Sequence, residues 1–61
     1  MKLRYGNLEL MPTTRMVERV HVAWEAEHPG QHLSVEELTR RIYDEIRACV
    51  RVNGMVPHEL R

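Results

Sequence analysis

Along the chain, apolar and polar positions first alternate and then repeat at a helical period, and the change falls at a proline. From Lys2 to Met11 the alternation runs around Gly6-Asn7. A glycine-first pair between two such runs predicts a type II′ hairpin over residues 2–11. If Tyr5 faces Leu8, then Arg4 faces Glu9 and Leu3 faces Leu10, leaving one side apolar and an opposite-charge pair on the other. A single longer strand is the alternative, because an isolated two-stranded hairpin is only marginally stable.

Pro12 ends the strands, and Thr13 or Thr14 can cap a first helix over 14–28. Met16, Val17, Val20, Ala23 and Trp24 make its buried stripe, with His21 and His28 along one margin. Val22 and Ala26 fall on the far side, among Arg15, Glu18, Arg19 and Glu25, and form a candidate contact for a partner. Arg15 and Arg19 stand near the start and Glu25 and Glu27 near the finish, the reverse of what the helix dipole favours. Pro29-Gly30 then breaks the helix, and so short a connection makes its neighbour antiparallel.

The second helix, over 34–53, is the most fully specified element. Ser34 and Glu37 have the spacing of a capping box, with Leu33 and Leu38 as its hydrophobic staple. Val35, Leu38, Ile42, Ile46, Cys49 and Val50 share one arc with Tyr43 at its edge, while Glu36, Arg40, Asp44, Arg47 and Arg51 gather opposite. Glu36–Arg40, Glu37–Arg41 and Arg41–Glu45 are spaced for ion pairs. Asn53-Gly54 supplies a left-handed stop, Met55 can fold back onto Val50, Pro57 blocks continuation, and residues 57–61 are expected to fray. The sum is an α+β fold over 1–61 as one small domain: an N-terminal β-hairpin, or a single strand, followed by an antiparallel αα-hairpin. Its expected core is Leu8, Leu10, Met16, Val20, Trp24, Leu38, Ile42, Ile46 and Val50.

Composition narrows the functional classes. A chain of 61 residues buries only about 60% of its unfolded surface, so a lone copy is marginal and a homodimer burying Tyr43, Met55 and Val56 is expected. One cysteine excludes an internal disulfide and, with Lys2 not followed by an apolar signal core, fits a reducing, cytoplasmic setting. Nine basic against nine acidic side chains leave no net field to draw in nucleic acid or a membrane. No apolar run approaches the roughly 20 residues of a membrane span.

Candidate chemistry is sparse. His28 and His32 are four apart, but Pro29-Gly30 between them destroys the helical geometry that would make the spacing a metal site. Cys49 falls on the apolar arc, where it reads as a small hydrophobe and has nothing to activate its thiol. A phosphate loop, a nucleophile elbow and an acid pair are all missing from the sequence, so no catalytic, metal or cofactor residue is expected. By elimination the expectation is a non-enzymatic protein–protein interaction or regulatory module. Val22, Tyr43 and Arg47 would be its anchors, and Arg40 and Arg51 would belong to its rim.

The rival class is nucleic-acid binding, with Arg40, Arg47 and Arg51 lined up on one helix face and Arg41 beside them. Glu36, Asp44 and Glu45 interleave with them, as in a solvated face. The order of strand, proline, helix, turn and helix over residues 7–54 resembles that of ribbon-helix-helix repressors, in which two chains pair strands into one ribbon. That resemblance implies a dimeric DNA-binding regulator whose outward ribbon positions would be Asn7, Glu9 and Met11. Glu9 carries the sign that phosphates repel, and Gly6-Asn7 equally suits a hairpin within one chain.

Overall fold

A computed structural model describes residues 1–60 and shows strands β1 (Leu3–Tyr5) and β2 (Leu8–Leu10) followed by helices α1 (Thr14–Glu27) and α2 (Val35–Asn53). The fold is the expected α+β arrangement, a hairpin followed by a helical hairpin. The strands pair antiparallel in the anticipated register, Leu3 with Leu10, Arg4 with Glu9 and Tyr5 with Leu8. Gly6 at the turn has φ +61° and Asn7 is not in the left-handed region, which is the type II′ requirement.

Both helix starts use the hydroxyls that the sequence offers. The Met16 amide donates to Thr13 Oγ1 at 3.2 Å and the Glu37 amide to Ser34 Oγ at 3.1 Å. The second half of the Ser34–Glu37 box is replaced: the Glu37 carboxylate accepts from Arg41 Nε at 3.1 Å and lies 3.5 Å from Arg40. Arg40 therefore turns to Glu37 and not to Glu36. Gly54, at φ +74°, ends α2 with its amide donating to the Val50 carbonyl at 2.8 Å.

The core cluster is Leu3, Leu10, Met16, Val20, Ile42, Ile46 and Leu60, with Tyr5, Val17, Leu38, Tyr43, Val50 and Val56 packed around it, and Trp24 is buried as expected, outside this cluster. Three expectations are corrected here. Leu8 is 50% exposed: burial falls along the hairpin from the Leu3–Leu10 end toward the turn, and Leu8 sits beside the turn. The tail expected to fray is docked over residues 57–60, since Leu60 is buried, bridges to Pro12, and Glu59 accepts from the Thr13 amide at 3.1 Å. Arg61 lies outside the described residues. Met55 is exposed and is no cover for Val50 in the way anticipated.

Tyr43 ties the hairpin to α2. With Tyr5–Leu8 flanking a two-residue turn, Arg4 points its amide and carbonyl away from β2. The Tyr43 hydroxyl meets both, accepting from the Arg4 amide at 2.8 Å and donating to its carbonyl at 3.0 Å. An otherwise open sheet edge is thereby closed. Tyr43→Phe is expected to cost about 1–2 kcal/mol, because the stranded backbone groups are near enough to water to be rehydrated in part. Urea unfolding followed by circular dichroism measures that loss.

Arg19 joins three segments. Its guanidinium donates to both Glu45 oxygens at 3.3 and 2.9 Å and to Glu59 at 2.9 Å, linking α1, α2 and the tail. These bonds, Glu45 first and Glu59 second, raise the pKa of Arg19 above its ordinary value. They also account for one of the α1 cations that oppose the helix dipole, and they take Glu45 away from the expected pairing with Arg41.

Candidate functional site

The arginines of α2 alternate with acids at one-turn spacing, so their charges are partly compensated within the helix. Arg47 donates to Asp44 at 3.1 Å and Arg40 lies near Glu37 as described. Arg51 is exposed and forms no ion pair among the described residues. All these pairs are solvent-exposed and each is worth at most about 1 kcal/mol.

Beside Arg47 and Arg51, Tyr5 at the end of β1 and residues 44–51 of α2 leave an open cleft of about 580 Å³. Tyr5, Ala48 and Val50 give it apolar walls, and Asp44, Arg47 and Arg51 give it a charged rim. The half-buried Tyr5 ring reaches it because β1 lies against α2 through Tyr43. Next to this cleft, sharing Asp44 and Ala48, a smaller groove of about 290 Å³ follows the seam between the helices past Ala23 and Trp24. The Arg19–Glu45 pair crosses that groove, so the chain itself occupies part of it.

Of the residues anticipated to meet a partner, Arg47 and Arg51 come together at the cleft, while Arg40 stands further back along α2. Val22 projects from the outer face of α1 and is 65% exposed. Tyr43 is not an exposed anchor: it is half-buried, packed on the core, and its hydroxyl is committed to Arg4. Tyr5, Ala48 and Val50 were missed as site residues. The hairpin register and the helical period placed Tyr5 and Val50 on the apolar sides, but only the packing of one element on the other puts them beside the arginines.

The groups with latent chemistry are spread out. His28 stacks on Trp24 with ring centroids 4.2 Å apart, and its Nδ1 lies 3.0 Å from the Trp24 carbonyl. Cys49 is half-buried and accepts a weak bond from Asn53 Nδ2 at 3.4 Å. Among the described residues, no three of His, Cys, Asp or Glu are gathered where they could hold a metal ion, and no helix is long and apolar enough to cross a membrane. Comparison with protein-family models, with curated proteins and with solved structures gives no match.

Proposed function

We propose that this chain is a non-enzymatic interaction module that works by presenting the outer faces of its two helices to protein, with a homodimer as its working form in a reducing cytosol. The observation that carries the reading is the cleft of Tyr5, Ala48 and Val50 with Arg47 and Arg51 on its rim. An apolar centre bordered by arginines is the composition of a protein interface, in which buried side chains supply affinity and the rim supplies orientation.

The rival reading, a DNA-binding regulator, draws on the same arginines. Two features favour protein over phosphate. Arg40 and Arg47 each have an acid within the helix, and nine acids balance nine bases overall, so no strong positive strip is left. The hairpin also closes within one chain, and Tyr43 occupies the outer edge of β1, unlike an intermolecular ribbon.

Sedimentation with a random-sequence duplex at low and at physiological salt separates the two. No co-sedimentation is expected near physiological salt. A steeply salt-dependent affinity that disappears in Arg40→Glu/Arg47→Glu would overturn the protein-binding reading in favour of DNA.

A further inference from the structure

The outward faces of α1 and α2 carry apolar centres with charged borders of opposite sign. On α1, Val22 projects with Glu18 four residues before it and Glu25 three residues after, spacings that place all three on one face. Ala26 completes a small apolar knob with an acidic border. On α2 the cleft is the inverse, an apolar hollow of Tyr5, Ala48 and Val50 bordered by Arg47 and Arg51. Two cations share the knob face, Arg15 and Arg19, but the Arg19 guanidinium is committed to Glu45 and Glu59, and at the hollow one acid, Asp44, pairs with Arg47 and leaves Arg51 free among the described residues.

We propose that the Val22 knob of one copy seats in the Tyr5–Val50 hollow of a second copy, with Glu18 and Glu25 against Arg47 and Arg51. This rests on the reading of the chain as an interaction module, and it names the surface and the partner. The groups brought together are those a second copy can supply: an apolar side chain for an apolar hollow and two carboxylates for two guanidiniums. His21, 3.6 Å from Glu25, lies beside the contact and offers it a further donor. The charged border steers and orients, while burial of Val22 holds the contact. When both contacts form between the same two copies, the assembly closes as a symmetric dimer.

A charge exchange tests the contact. Glu18→Lys/Glu25→Lys makes knob and hollow both basic, and Arg47→Glu/Arg51→Glu makes both acidic. All four side chains are exposed, so the fold is expected to persist, and circular dichroism checks it. In sedimentation at physiological salt the wild type is expected to associate with rising concentration. Each double variant alone should associate at least about tenfold more weakly, and their equimolar mixture should recover a 1:1 pair. Adding Val22→Gln to the mixture should weaken that pair about tenfold, which general attraction between oppositely charged proteins would not do. A wild type that stays single at about 1 mM, far above the affinity of a specific contact, overturns the proposal. So does either variant associating like wild type, or a mixture that fails to recover or ignores Val22→Gln. Duplex binding is read separately, so loss of this contact and loss of the protein-binding reading are distinct results.

Discussion

Ile46→Ala is expected to leave a large share of the protein unfolded at room temperature. Ile46 is fully buried at 0% exposure, on the arc of α2 that meets Met16 and Val20 in the same cluster. Removing a buried isoleucine to alanine costs about 2–5 kcal/mol, the loss of transfer free energy plus the void left behind. A domain of this size has a total stability of only about 3–5 kcal/mol, so one substitution can consume most of it. The check is the urea midpoint by circular dichroism, with Val35→Ala as control. Val35 lies on the same arc but is 68% exposed past the end of α1, and its change should stay within about 0.5 kcal/mol. An Ile46 cost no larger than that of Val35 would contradict the packing. If copies associate, both midpoints rise with protein concentration, so the pair must be compared at one concentration.

That contrast between Ile46 and Val35 also marks how far the sequence could be read. Signals carried by neighbours in the chain came through: the Gly6-Asn7 turn and its register, the hydroxyl caps Thr13 and Ser34, and the Gly54 stop. Each depends on backbone geometry that a few consecutive residues decide. Periodicity likewise identified the buried arcs, but it could not say where along an arc the covering element ends. Val35 and Leu8 lie on the correct sides of their elements and are still wet, because nothing in the chain extends over them.

Contacts between distant segments were the least readable. Arg19 was visible only as a charge misplaced on its helix, and its partners Glu45 and Glu59 are 26 and 40 residues away. Tyr43 was recognised as apolar surplus, whereas its hydroxyl has a polar task 39 residues away at Arg4. The candidate site shows the same division. Arg47 and Arg51 follow from the helical face, but the apolar hollow beside them exists only once the hairpin has been laid against α2.

The tail gives the sharpest test of such a distant contact, because chain position and packing make opposite forecasts for Leu60. Terminal residues ordinarily fray, and a frayed leucine could be replaced at no cost. Here Leu60 is 7% exposed in the same cluster as Leu3 and Leu10, and its segment is held by the Pro12 bridge, the Thr13 amide and Arg19. Leu60→Ala is therefore expected to cost about 2–3 kcal/mol, the lower part of the range for buried leucines because a segment outside the helices relaxes more readily than a helix interior. The lost side chain also loosens Glu59, so the Thr13 amide should exchange with solvent faster than in the wild type. His58→Ala, on an exposed residue of the same segment, should leave both readings unchanged within about 0.5 kcal/mol. Equal and negligible effects of the two substitutions would mean that the tail contributes nothing to the fold. A Leu60 penalty with faster Thr13 exchange would establish that residues 57–60 close the core at the start of α1.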